Sequence, residues 1–275
     1  MSPHIFADAG LARRLERAEG QSNAEFVEAR ARLSPEVGAR WIEVAGAYVM
    51  FDGPQSPLTQ TFGLGLFDPV TVAELGRIEE FYRELVAPVF HEVSPMGEAG
   101  LAALLGERGY RPVEFTNVLF LPLPRVAPAA EARREAPAVR AVGEEEYDVW
   151  AVTAARGWAE FPEVADLMYE LGLVSARRKG AVSFMAEVDG RPAATGALSI
   201  CEGVALLAGA STVPEARRRG AQAALLDARL RHAAERGCDL AMMGALPGSA
   251  SQRNAERQGF RIAYTRIKWG LMGAA

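Results

Sequence analysis

Hydrophobic and polar positions along the chain follow two periods, one of two residues, typical of strands, and one of about 3.6 residues, typical of amphipathic helices. The period of two is clearest in three consecutive segments of the C-terminal half, which the turn pairs Asp189-Gly190 and Glu202-Gly203 separate. These segments predict three antiparallel strands joined by tight turns. The next helix should begin at Gly220 and end at Gly237, and the strand after it should lie parallel to the strand before it.

The remaining elements follow from the same two periods, and the N-terminal half is the less regular of the two. The predicted strands are 41–51, 59–66, 111–121, 139–142, 181–188, 192–201, 204–213, 239–243 and 260–269. The predicted helices are 11–32, 72–85, 100–108, 144–156, 161–173 with a break near Gly172, 220–236, and a short helix that Ser249 or Ser251 caps and Gly259 ends.

A break in composition lies between Leu121 and Pro137, where four prolines, several alanines and a run of charges are typical of a linker. It predicts two domains, residues 1–125 and 138–275, joined by residues 126–137. The two halves also resemble each other: Gly109-Tyr110 and Gly259-Phe260 each follow a predicted helix and precede a strand, 150 residues apart. A spacing of this size favours a duplicated domain over a short repeat.

Composition excludes several classes of protein. The net charge of −5 gives no basic surface for nucleic acid or for an anionic membrane, and no apolar stretch reaches the roughly 18 residues of a spanning helix. Two cysteines, Cys201 and Cys238, favour buried thiols in a cytoplasmic protein, and three scattered histidines predict no metal site. The sequence assigns no oligomeric state.

The segment most suggestive of chemistry joins the strand 204–213 to the helix 220–236. Three arginines precede a glycine at the start of a helix whose first residues are small. The first turn of a helix has unpaired N–H groups and a partial positive charge, so this segment is suited to a pyrophosphate. A solvated surface of arginines is the alternative. The residues concerned are Arg217, Arg218, Arg219, Gly220, Ala221, Gln222 and Ala223.

This segment resembles motif A of the GNAT acetyltransferases, Gln/Arg-x-x-Gly-x-Gly/Ala. Arg217 and Gly220 fit its first two fixed positions, whereas Gln222 departs from the third and Ala223 follows it. The segment from Asn254 to Phe260 is similar to the family's motif B, which ends a helix with Gly-Phe. The resemblance covers residues 139–269.

The resemblance implies an α+β fold of tandem GNAT-like domains, each a mostly antiparallel sheet flanked by helices. It implies that acetyl-CoA lies in a slot between the strands 204–213 and 239–243. Backbone groups of Ser211, Thr212 and Val213 would pair with its pantetheine arm, residues 217–223 would hold its pyrophosphate, and Asn254 would contact the arm. The acceptor would be an amine of a small molecule or a peptide.

The resemblance leaves the catalytic groups open. Many members have a tyrosine four residues before the Gly-Phe glycine, where this chain has Ala255, and Ser251 or Tyr264 are the substitutes on offer. Family members contact the acceptor with the loop between the first two helices, here at Trp158, Glu160 and Phe161, although the two aromatic residues would also suit simple packing. A non-catalytic acyl-CoA-binding sensor or scaffold is the alternative function, and a protein that only mediates protein contacts is a weaker one.

The first half has no comparable phosphate loop. Asp68 and Glu74 stand where its helix 72–85 begins, and carboxylates there would repel a pyrophosphate. The first half is therefore expected to be a degenerate copy that binds no CoA.

Overall fold

The computed structural model describes residues 5–123 and 137–271. The helices are α1 (Ala9–Leu33), α2 (Val72–Glu84), α3 (Leu101–Glu107), α4 (Tyr147–Arg156), α5 (Pro162–Ala176), α6 (Ala221–Glu235) and α7 (Ala250–Arg257). The strands are β1 (Arg40–Val44), β2 (Ala47–Phe51), β3 (Gln60–Phe62), β4 (Phe90–Val93), β5 (Tyr110–Pro122), β6 (Ala138–Ala141), β7 (Ala181–Val188), β8 (Arg191–Cys201), β9 (Val204–Thr212), β10 (Leu240–Ala245) and β11 (Arg261–Leu271). Within the described part of the chain, no helix is long and apolar enough to cross a membrane.

The chain forms two compact units. The first unit combines the described residues up to Leu121 with those from Gly244 onward, and the second unit is Pro122–Met243. The division of the sequence into domains 1–125 and 138–275 stays a prediction. The two compact units have different bounds, because the last helix and the last strand group with the N-terminal elements.

The first unit has its strands in the order β1-β2-β3-β4-β11-β5, and only β3 and β4 are parallel. Asp8 caps α1 by accepting a hydrogen bond from the Leu11 N–H, at 2.8 Å. The apolar face of α2 packs with the strands through Leu75, Ile78 and Tyr82, which are fully buried. These contacts form the core of the unit.

The second unit has the strand order β10-β9-β8-β7-β6, with β9 and β10 parallel, as the sequence predicts, and the other pairs antiparallel. Trp150 of α4 lies in its core, and its indole N–H donates to the Phe184 carbonyl at 2.9 Å. The helix predicted after Gly220 is confirmed as α6, and its residues Leu225 and Leu226 are buried. The α+β class with a mostly antiparallel sheet is also confirmed.

Several element predictions are wrong. The strand predicted at 41–51 is two strands, because Ala45-Gly46 forms a turn in which both residues have positive φ. The strand predicted at 59–66 is only the three residues of β3. Helix α5 continues through Gly172, where the missing side chain lets Ala151 of α4 approach: a Cβ at 172 would lie 3.2 Å from the Ala151 Cα.

The sequence pattern does not predict strand β4, because His91 and Glu92 are polar although both are buried in the structure. The predicted linker 126–137 lies outside the described residues, apart from Pro137.

The similarity between the two halves has a structural counterpart inside the first unit. Gly109 follows helix α3 and Gly259 follows helix α7, with φ of 88° and 89°, and β5 and β11 come next in the chain. These two strands pair antiparallel with each other, from Tyr110 opposite Leu271 to Phe120 opposite Arg261. Corresponding strands of the two halves are thus neighbours.

Candidate cofactor site

The N-terminus of α6 is open to an anion. Gly220 is the N-cap residue, its φ is 83°, and no side chain caps the helix. The first N–H groups of a helix have no partner within it, so those after Gly220 are available to a ligand. Arg218 also has a positive φ, of 63°, which turns the loop sharply before the helix.

The predicted phosphate residues Arg217 and Arg219 lie in this loop, and carboxylates hold both guanidinium groups. Arg217 donates to Glu160 Oε2 at 2.5 Å and to the Gly157 carbonyl at 3.0 Å. Arg219 donates to both oxygens of Asp189, at 2.8 and 3.1 Å, and these bonds lower the pKa of the Asp189 carboxyl. Arg218 makes no ion pair with any residue that the structure describes.

Gln222, the residue that departs from motif A, connects α6 with the end of β9. Its side-chain amide donates to the Ser211 carbonyl at 2.9 Å and to Thr212 Oγ1 at 2.6 Å. Its neighbours Ala221 and Ala223 add only methyl groups to the first turn. Gln222 therefore fixes the first turn of the helix against the strand, while the small residues leave the backbone accessible.

An open strand edge lies beside the helix N-terminus. Strands β9 and β10 pair only from Val204–Leu240 to Leu206–Met242, and β9 continues to Thr212 without this neighbour. This short pairing of β9 with β10 agrees with the slot that the resemblance implies between the strands 204–213 and 239–243. Unpaired backbone groups of β9 are thus offered to an extended ligand.

The three backbone positions predicted to bind pantetheine do not all face this edge. The Val213 N–H donates to the Ala193 carbonyl of β8 at 2.9 Å, so it is not free to bind a ligand. Because backbone groups of successive strand residues point to opposite edges, Thr212 directs its N–H and C=O away from β8, and Ser211 directs its own toward β8. Thr212 is therefore the best placed of the three.

The predicted acceptor residues lie in the loop between α4 and α5, in contact with the phosphate loop through Glu160. Trp158 and Phe161 are 40% and 52% exposed, so neither is simply a core residue of the second unit. Gly157 lies directly on β9, and a Cβ there would be 1.8 Å from Ser211 Oγ. The structure thus brings the residues predicted to contact the acceptor close to the loop predicted to bind the cofactor.

The other predicted residues belong to the first unit. Ser251 lies in the exposed first turn of α7, and the Asn254 side chain accepts a hydrogen bond from Arg257 at 3.0 Å. The Tyr264 hydroxyl is buried and donates to Glu16 Oε1 at 2.9 Å. Burial raises the pKa of this phenol, so Tyr264 is a firmly protonated donor to an internal carboxylate.

Helix α2 starts in the opposite way from α6. Thr71 and Glu74 form a capping box, in which the Glu74 carboxylate accepts from the Thr71 N–H at 2.7 Å. The Glu98 carboxylate accepts from the Val70 N–H at 3.1 Å. Side-chain carboxylates therefore occupy the positions that phosphate oxygens would need, which supports a first half that binds no CoA.

Among the residues that the structure describes, no three His, Cys, Asp or Glu side chains are grouped so as to hold a metal ion.

Fold and site together define an α+β protein with an uncapped helix N-terminus beside an open strand edge. Residues 145–260 match the family "Acetyltransferase (GNAT) family", so the resemblance seen in the sequence is confirmed for this part of the chain. No protein with a curated description matches the sequence.

Solved structures show the same fold over most of the chain. A GCN5-related N-acetyltransferase from Kribbella flavida has a TM-score of 0.65 and 22% identity, over 90% of this chain and 95% of that one. A conserved protein of unknown function from Staphylococcus epidermidis has a TM-score of 0.60 and 9% identity, over 86% and 94%. A tandem GNAT protein from the clavulanic acid biosynthesis pathway has a TM-score of 0.56 and 14% identity, over 84% and 80%. At these identities the likeness concerns the fold alone.

Proposed function

We propose that this protein is an N-acetyltransferase that transfers the acetyl group of acetyl-CoA to an amine. The observation that carries the proposal is the uncapped N-terminus of α6 at Gly220, flanked by Arg217 and Arg219 and adjoining the open edge of β9. Cofactor diphosphate would bind the first-turn N–H groups, and the pantetheine arm would pair with the β9 edge at Thr212.

The two loop arginines would change partners when the cofactor binds. Phosphate oxygens and the carboxylates of Glu160 and Asp189 compete for the same guanidinium groups, and phosphate carries the greater charge. All these carboxylate pairs are exposed, so their exchange has a low cost.

The chemistry is a direct transfer. A neutral amine attacks the thioester carbon, the N–C bond forms, and the electron pair of the breaking C–S bond leaves on sulfur. One proton of the former amine passes to the thiolate, directly or through water, which gives an amide and CoA thiol. An acceptor amine is mostly protonated at neutral pH, so it must first release a proton to solvent or to a nearby base.

A non-catalytic acyl-CoA sensor is the second candidate, because Ala255 stands where the resemblance implies a proton-donating tyrosine and its methyl group is buried. The two candidates differ in turnover. Acetyl-CoA is incubated with the protein and a panel of amines, namely polyamines, amino acids, aminoglycosides and peptide N-termini, and free thiol is measured. Acceptor-dependent thiol release identifies the enzyme, whereas acetyl-CoA binding without thiol release for any amine identifies the sensor.

A further inference from the structure

Arg229 of α6 is a buried cation whose observed partners are all backbone carbonyls. Its side chain donates to the carbonyls of Ala197 and Ala208, at 3.3 and 3.4 Å, and to the Leu225 carbonyl at 3.3 Å. Arg229 is 3% exposed, and it forms no ion pair within the described residues. Burial lowers its pKa to about 10, so the guanidinium is still charged at neutral pH.

The two strand carbonyls lie at a break in the sheet. Pairing of β8 with β9 is regular up to Ala197–Ala208 and resumes at Thr195–Ser211, so β9 carries one extra residue in a bulge. Gly209 lies in this bulge with a φ of 62°. Arg229 thus bridges one carbonyl from each strand at the pair where regular pairing stops.

The sequence of β8 leaves room for this contact. A Cβ at Gly196 would lie 2.9 Å from the Arg229 Cζ, so a larger residue would displace the guanidinium. Nη1 of the guanidinium donates to both strand carbonyls while Nε donates to the Leu225 carbonyl of the helix, and the single ammonium of lysine does not occupy both nitrogen positions. A buried charge without a counter-ion is costly, and carbonyl hydrogen bonds offset that cost only while the bulge keeps its shape.

We infer that Arg229 is a positioning residue for the acyl and pantetheine end of the cofactor. By holding the bulge, it sets the direction of residues 210–212, whose edge would receive the pantetheine amides and the thioester. The diphosphate site at residues 217–223 depends instead on the loop and on Gln222. This inference rests on the proposed function and adds a residue that touches neither cofactor nor acceptor.

The test separates the two ends of the cofactor. Arg229→Lys and Arg229→Met are titrated by calorimetry with acetyl-CoA and with adenosine 3′-phosphate 5′-diphosphate, which lacks the pantetheine arm. Arg231→Met is the matched control, because Arg231 is an exposed residue of the same helix that pairs with Asp227 one turn away. Loss of the bridge should weaken acetyl-CoA binding about tenfold and change binding of the nucleotide less than about twofold, since unsatisfied buried carbonyls cost stability only near the bulge.

A second variant approaches the bulge from the strand. Gly209→Ala strains the backbone at a positive φ, while the new Cβ has no neighbour closer than 3.7 Å, so the variant should fold. Like the Arg229 variants, it should lose more affinity for acetyl-CoA than for the nucleotide. Equal losses for both ligands, or unchanged acetyl-CoA binding in Arg229→Met and Gly209→Ala, would overturn the inference. A parent protein that binds no acetyl-CoA would instead overturn the proposed function and the inference together.

Discussion

Glu160 and Asp189 hold the two guanidinium groups that a CoA diphosphate would require. Neither contact follows from local sequence, because Glu160 lies 57 residues before Arg217 and Asp189 lies 30 residues before Arg219. The sequence indicates that arginines cluster before Gly220, but not that they are already paired. If the proposed site is right, these two carboxylates would compete with the cofactor diphosphate for Arg217 and Arg219.

Replacing Glu160 by Gln should tighten acetyl-CoA binding, because Arg217 no longer has to leave a carboxylate. The expected gain is up to about fivefold, since exposed ion pairs contribute roughly 0.2–1 kcal/mol. Calorimetry measures the dissociation constants. Glu163→Gln is the control, because Glu163 is also exposed and makes no ion pair in the described part of the chain. Weaker binding by the Glu160 variant would show that Arg217 does not contact phosphate.

A buried charge network connects α1, β4 and β11 at the level of secondary-structure elements. Carboxylates of Glu16, Glu19 and Glu92 surround the Arg266 guanidinium at 3.1, 2.9 and 3.0 Å. The Phe62 ring lies 4.4 Å below Arg266, as measured to the ring centroid. The groups facing Glu16 are Arg266, Glu19, Glu92 and Tyr264, and Lys268 faces Glu92.

The network predicts a pH dependence of stability. Burial raises the pKa of Glu16 to about 7 from an unfolded value of 4.5. The folded state then retains a proton that the unfolded state releases between these values, so Glu16 lowers the free energy of unfolding as the pH rises through this window. Each pKa unit corresponds to about 1.4 kcal/mol.

Glu16→Gln removes this titration and keeps an acceptor for Tyr264. Urea unfolding at pH 5.0 to 7.5 should therefore show the parent losing stability relative to the variant as the pH increases. If the difference in unfolding free energy between parent and variant is constant over this pH range, or increases in favour of the parent, Glu16 is ionised throughout the range.

The sequence predicts some elements well and others poorly, for identifiable reasons. The hairpins of β7, β8 and β9 and the start of α6 follow from alternation, turn pairs and Gly220, which are local signals. Strand β4 is not predicted, because His91 and Glu92 look like surface residues. The hydrogen bonds from Arg229 to the carbonyls at the bulge are not predicted either, because an arginine in a helix normally indicates a solvent-exposed face.

At the scale of the whole molecule, the sequence does not indicate which segments fold into the same compact unit. The break in composition between Leu121 and Pro137 predicts a division of the chain at that place, whereas residues 244–271 group with the first unit. There, β11 lies between β4 and β5 and pairs with both. Strand partners depend on contacts across more than a hundred residues, which periodicity does not encode.

A fragment of residues 138–275 should therefore be much less stable than the whole chain. It would lose both neighbours of β11 and leave Arg266 without the carboxylates of Glu16 and Glu92. Breaking a buried ion pair on one side costs about 3–5 kcal/mol, so the fragment should melt lower or aggregate. Circular dichroism melting compares the two proteins, and equal melting temperatures would show that the second half folds independently.

Whether the N-terminus of α6 binds the cofactor diphosphate is tested by calorimetric titration of acetyl-CoA into the parent, Gly220→Glu and Gly237→Glu. Both glycines flank α6, have positive φ and have no side chain or backbone atom within 3.4 Å of a Cβ, so the two variants carry similar backbone strain. We expect one site per chain in the parent and near-parent binding in Gly237→Glu. Binding should be weakened at least about tenfold in Gly220→Glu, because its carboxylate repels the diphosphate. Absence of binding by the parent at about 1 mM acetyl-CoA, or equal affinities for the parent and Gly220→Glu, would contradict diphosphate binding at this N-terminus.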